Sequence, residues 1–259
     1  LNTKISFILI VTIVITVTIM GVYFDFFLKQ NDENQTRLKF SYAENRVVTD
    51  IEKTKLKLEE GVNQIAQDKT LHASIALVNN YQDKQNYNAI LLDEEKKIIA
   101  NILLEKVKNA FNHFISLYDQ NEELIAFVYE NEKGYSLNFI SYENGEKVLF
   151  SKQESEDDYK KLAYHAPHSI KFKHLLYYTQ PQLKHGSLVT YHYLDNSLYI
   201  IAHESTFKEN SDKTLAHFEM ADRLISGYFK SVSDELNVNS SMTSSPQYEE
   251  LAQPLFTAK

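Results

Sequence analysis

Tyrosine and histidine are the side chains through which this sequence could do chemistry, with 17 of the first and 9 of the second. Tyr142, Tyr177, Tyr178, Tyr191 and Tyr193, together with His192, fall mostly in stretches rich in β-formers and could line a pocket offering hydroxyl donors and ring faces. Tyr118 ends another such stretch. The candidate ligand-binding set is therefore Tyr118, Tyr142, Tyr178, Tyr191, His192 and Tyr193. A competing expectation is that strand tyrosines simply pack on a sheet with their hydroxyls in water. Asp119, beside Tyr118, reads as a turn cap rather than a ligand contact.

The densest histidines are His165 and His168, with His174 beyond. Pro167 lies between the first two and disturbs the helix that would put them on one face. Cysteine is absent and no HExxH pattern occurs, so these read as surface histidines or, if gathered in space, as a source of sensitivity near neutral pH. The acidic run Glu154–Asp158 could hold a divalent cation, but a solvated loop is the simpler expectation. No GxSxG, P-loop or GxGxxG pattern is present. The chain therefore reads as a non-enzyme, with no catalytic residue, cofactor or metal site expected. Arginine stands only at Arg37, Arg46 and Arg223, and tryptophan is absent. A site holding a carboxylate in two parallel bonds, or a tryptophan box for a quaternary amine, is disfavoured.

These residues need a scaffold, and the first element of it is a membrane anchor. Ile5–Phe24 runs for 20 residues without a charge, about 30 Å as a helix and the thickness of a bilayer's hydrocarbon core. Its threonines can return their hydroxyls to the helix backbone. Tyr23, Phe24, Phe26 and Phe27 place aromatics where the helix would leave lipid. A cleaved signal peptide wants a shorter run and small residues at the cut, and Met20-Gly21-Val22 matches poorly. Lys4 before the span, with Asp25, Lys29, Asp32 and Glu33 after it, gives a slight positive-inside bias. The expectation is a single-pass protein of the inner (cytoplasmic) membrane, held in lipid by Ile5–Phe24 with its bulk extracytoplasmic. A net charge of −8 and a pI near 5.6 speak against nucleic acid as partner.

Beyond the anchor, residues 29–90 read as a long helix and linker. Val47, Val48, Ile51, Leu58, Val62 and Ile65 form its stripe, and Glu52, Lys53, Lys57, Glu59 and Glu60 oppose them. The helical pattern extends from about Arg37 to Leu77. So narrow a stripe suits either a homodimer through this helix or a solvated monomeric helix. A polar break at 79–88 precedes a second helix from about Asp93 to Asn112. Short β-rich runs follow at Phe114–Tyr118, Leu124–Tyr129, Tyr135–Tyr142 and Lys147–Ser151, with a hairpin signal at Asn144-Gly145. Glu154–Lys184 reads as a short helix and loops. Ser187–Leu194 and Ser197–Glu204 form a hairpin around Asp195-Asn196. A last helix is expected from about Lys213 to Val232, then a polar tail. The whole is α+β: a membrane helix, a long helix, a core over 91–210 built on one antiparallel sheet flanked by helices, and a C-terminal helix and tail over 211–259.

Ile115–Tyr129, ISLYDQNEELIAFVY, resembles the first hairpin of the Cache sensor domains, the PAS-like extracytoplasmic domains of bacterial transmembrane receptors. The helix before it and the hairpin Val189–His203 sit in the order that family has. Glu122 stands where the family's turn usually has glycine. The resemblance implies a small-molecule ligand and an output module (histidine kinase, diguanylate cyclase or chemoreceptor) that this chain does not contain. The alternative is a single-anchor pilin-like or cell-envelope assembly protein, disfavoured because Ile5 holds the place of the pilin glutamate. An anchored enzyme is a third reading that no motif supports.

Overall fold

The computed structural model describes residues 2–110, 113–163, 187–194, 197–208 and 213–225, with residues 228, 231, 232, 234 and 235. They divide into two units, one of residues 2–49 with 228–235 and one of residues 50–225.

The first unit is helical. Helix α1, Asn2–Ala66, begins in it and contains the one segment among the described residues long and apolar enough to cross a membrane. No residue in its most apolar stretch is buried against protein. Thr16 and Thr18 donate their hydroxyls to the carbonyls of Thr12 and Val14, both at 2.8 Å, so these two hydroxyls are spent on the helix's own backbone. This is compatible with a transmembrane anchor. Ala43, Val47 and Val232 are buried, and Arg46 bonds Glu235 at 2.6 Å.

In the second unit Ile51, Leu58, Val62 and Ile65 of α1 are buried as their spacing predicts, whereas Val48, in the first, is 45% exposed and lies off the stripe. The helical pattern does not run on to Leu77. It breaks at Gln67–Asp68, where the Asp68 carboxylate accepts from the backbone of Thr70 and Leu71 and caps a separate helix, α2, Lys69–Tyr81. Asp68 also meets Lys106 at 2.9 Å, tying this corner to helix α3, Ala89–Asn109. Leu92, Lys96, Ile99, Leu103 and Val107 form the buried face of α3.

Among the described residues eight antiparallel strands make one sheet: β1 (Phe114–Asp119), β2 (Leu124–Asn131), β3 (Gly134–Glu143), β4 (Glu146–Gln153), β5 (Lys160–Ala163), β6 (Leu188–Leu194), β7 (Ser197–Phe207) and β8 (Thr214–Ile225), in the order β5-β4-β3-β2-β1-β8-β7-β6. The first and last strands are thus neighbours at its centre. Two expectations need correction. The stretch after Glu154 supplies strand β5 rather than a helix, and residues 164–186 lie outside those described. More consequentially, the expected helix Lys213–Val232 is strand β8 over Thr214–Ile225, with helical backbone only at described residues from 228 on. Its Leu, Ala, Glu, Met and Arg are helix formers, but β1 bonds it on one side and β7 on the other. A strand buried on both faces loses the alternation that would announce it.

Tight turns fall where the sequence puts them. Asn144 and Gly145 both have positive φ, 50° and 82°, and join Glu143 to Glu146 as a two-residue hairpin. Between β1 and β2, Glu122 takes φ 62°, so this non-glycine residue holds a backbone shape natural to glycine. Glu122→Gly is expected to raise stability by about 0.5–1 kcal/mol in chemical denaturation, and a loss instead would mean that the Glu122 side chain contributes more than its backbone strain costs.

Candidate functional site

Antiparallel pairs put directly opposed residues on one face, so the register draws a row across the whole sheet: Lys160, Ser151, Asn138, Phe127, Ser116, Glu219, His203 and Leu188. The helices pack on the other face, where Ser141 donates to Asp93 of α3 at 3.1 Å and Thr206 meets His72 of α2 at 2.9 Å. Around the row the face is apolar and aromatic, with Phe114, Ile140, Tyr142, Leu149, Ile201 and Ala221 in its core.

Four polar members of this row, Asn138, Ser116, Glu219 and His203, are almost wholly buried. Glu219 is the centre. Its Oε2 accepts the hydroxyls of Ser116 at 2.9 Å and Tyr118 at 3.0 Å. Its Oε1 lies 3.5 Å from Nδ1 of His203, and neither of those two atoms has a hydrogen-bond partner. The other ring nitrogen of His203, Nε2, sits 3.0 Å from Thr190 Oγ1. Burial pushes the Glu219 carboxyl up to about 7, although the two hydroxyls partly offset it. Burial, then His192 and His217, pull His203 down to about 4. Both shifts favour a neutral acid facing a neutral imidazole over an ion pair, despite the closeness of the two groups. Desolvation decides it, since neither group has a water-facing side.

A second polar cluster gathers near the β3–β4 hairpin. Lys96, fully buried on α3, donates from Nζ to the Ile140 carbonyl at 2.6 Å and lies over the rings of Tyr87 and Tyr142 at 4.9 and 5.3 Å. Tyr87 donates to Asp93 at 2.6 Å, and Tyr142 donates to Glu123 at 2.8 Å. Lys84 and Lys147 also approach Glu123. Burial would raise the Glu123 carboxyl, but the bonds from Lys84 and Tyr142 and the charges of both lysines leave it below its ordinary value. Burial also pulls Lys96 down to about 7, against the opposing pull of Asp93, Asp119 and Glu123.

Of the six expected ligand residues, the four whose side chains are described, Tyr118, Tyr142, Tyr191 and His192, stand at separate places on the sheet. Tyr118 stands opposite His217, beside the row, and donates to Glu219, whereas Tyr142 belongs to the Lys96 cluster. His192 shares a face with Thr190 and adds to the field on His203. Tyr191 points to the opposite, helix-bearing face; burial and then Glu52 and Glu59 of α1 raise its hydroxyl. Tyr178, Tyr177, His165, His168 and His174 lie outside the described residues, as does the side chain of Tyr193. Asp119 caps its turn as expected, accepting from the backbone of Asn121 and Glu123 at 2.8 Å each. In the acidic run, Glu154 pairs with Lys108 and Glu156 with Lys160. A groove between α2 and β7, lined by His72, Asn79, Glu204 and Thr206 among others, contains none of the expected site residues.

Sequence reasoning misses Glu219, His203 and Lys96. Of these Lys96 is findable, since it sits four after Leu92 and three before Ile99 on the apolar stripe of α3. Comparison with known proteins adds nothing to this picture. No family model matches the chain, and no curated protein matches it.

Proposed function

We propose that the chain is the ligand-sensing input domain of a membrane-anchored signal-transduction receptor, of the Cache type that its first hairpin resembles. The anchor is Ile5–Phe24 in the inner membrane, the bulk is extracytoplasmic, and the output is a histidine kinase, diguanylate cyclase or chemoreceptor module beyond this chain. The observation that carries the reading is the polar row buried in the face of the sheet opposite the helices. A core built for stability alone would place apolar groups there, because burying Glu219, His203 and Ser116 costs desolvation free energy that their mutual bonds only partly return. Such a cost is tolerated where the groups serve recognition or switching. Tyr118 is the member of the expected ligand set that bonds this row, through Glu219.

The test is a thermal-shift titration of the full chain in detergent micelles against a broad metabolite library. A true ligand at a hundred times its Kd adds about 2.7 kcal/mol to the folded state, a shift well above noise. Tyr118→Phe is expected to weaken that shift while leaving the fold in place. If no compound moves the transition, small-molecule sensing is the wrong reading.

A further inference from the structure

We propose that Glu219 and His203 form a one-proton switch, so that the stimulus taken up by this face of the sheet is the proton itself. Its use in signalling rests on the sensing reading above, but its chemistry does not.

Two buried atoms of the pair have no hydrogen-bond partner. Glu219 Oε1 and His203 Nδ1 face each other at 3.5 Å inside side chains that are each 1% exposed. A buried donor or acceptor left without a partner is costly, so each atom is driven to use the other. They can do so in two ways. With the pair protonated, Glu219 Oε1–H donates to Nδ1, and the ring carries its own hydrogen on Nε2, donating to Thr190 Oγ1. If the Oε1 hydrogen itself left to solvent, an anionic oxygen would face the Nδ1 lone pair, which is repulsive. The imidazole relieves this by adopting its other tautomer. The proton of the Oε1–H bond passes to Nδ1, which then donates back to the carboxylate. The Nε2–H bond breaks and its proton leaves to solvent, so the Thr190 hydroxyl turns from acceptor to donor. One proton is released in all, and no other reactant is needed.

The rest of the surroundings fits both states. Ser116 and Tyr118 keep their bonds to Oε2 and support the carboxylate once it is charged. The titratable groups facing the pair are Tyr118 on β1, His217 on β8 and His192 on β6. Burial lowers both of these histidines and favours their neutral forms, and His217 also meets Ser205 at 2.9 Å. The relay therefore crosses four strands, from Ser116 at the centre of the sheet to Thr190 on β6 at its edge. The loss falls near neutrality because burial holds the Glu219 proton up to about 7.

The experiment is nitrogen NMR of the full chain in micelles, labelled at histidine, from pH 5 to pH 9. The His203 signal is assigned by its disappearance in His203→Gln. The expected result is that the protonated ring nitrogen of His203 changes from Nε2 to Nδ1 between about pH 6 and 8. In Glu219→Gln the side-chain amide donates permanently to Nδ1, and His203 is expected to stay Nε2-protonated throughout. A single tautomer in the native chain over the whole range overturns the switch, whether or not the variant folds. So does a change that persists in Glu219→Gln. A tautomer change without any metabolite response upholds the switch and removes the small-molecule ligand. A metabolite response without the change does the reverse.

Discussion

Replacing Lys96 by alanine is expected to cost the folded state about 3–5 kcal/mol, read as a shift of the denaturant midpoint at constant slope. Alanine removes a long, fully buried side chain, leaves a cavity under α3, strips the Ile140 carbonyl of its donor and takes the cation from over two rings. Lys96→Met separates volume from charge. It fills most of the space, and the carboxylates around it retain other donors: Asp93 has Tyr87 and Ser141, and Glu123 has Tyr142 and Lys84. Methionine should therefore cost less than half of what alanine costs. The pH dependence follows from burial, which holds the folded amine at about 7 against an ordinary 10.5. A lysine lowered in the fold favours the neutral form. Its contribution is best at pH above 10.5, declines as pH falls toward 7, and is level below that. Methionine lacks this slope, so its disadvantage against the native chain should shrink between about pH 10 and 7.5, by at most roughly 1.4 kcal/mol per unit. An equal disadvantage at both pH values would mean that the amine is solvated.

What the sequence reveals and what it hides divide along a physical line. Local signals survive. The uncharged run at Ile5–Phe24, the Asn144-Gly145 turn and the strands on either side of Asp119 depend on composition within a few residues of themselves. The α+β class follows from them. Strand β8 is hidden because its identity comes from partners about 100 residues away in sequence on the β1 side, which override helix-forming residues. With it goes Glu219, which lies within the expected helix Lys213–Val232 and is in fact the buried centre of a row. His203 belongs to the correctly read β6–β7 hairpin, but nothing local says that a glutamate will stand opposite it. Among the described residues the tyrosine set is divided for a related reason. Alternation along β6 is legible and already places Tyr191 and His192 on opposite faces, so the two could not line one pocket on the same side of the sheet.

Asp119→Ala is expected to cost about 2–3 kcal/mol, because this one carboxylate organises the turn between β1 and β2. Its Oδ1 accepts two backbone N–H groups, its own N–H donates to the Glu123 carbonyl at 2.8 Å, and its carbonyl accepts from Glu122 at 3.0 Å. With Asp119 4% exposed, alanine leaves two N–H groups short of an acceptor and only the backbone bonds of residue 119 to hold Glu122 at positive φ. Asp119→Asn keeps an oxygen at the same place and should preserve the turn at a cost under about 1 kcal/mol. The lost charge would be felt elsewhere, since Asp119 is one of the three carboxylates that raise Lys96. The amine should then titrate at lower pH than in the native chain, extending the slope described above to lower pH while its upper end stays at the unfolded value. The strain term is isolated by combining Asp119→Ala with Glu122→Gly. Glycine adopts this φ unaided, so the alanine substitution should cost less when Glu122→Gly is already in place, with a coupling of about 0.5–1 kcal/mol. Strictly additive costs would mean that the Asp119 side chain satisfies the backbone but does not hold Glu122 in its strained conformation.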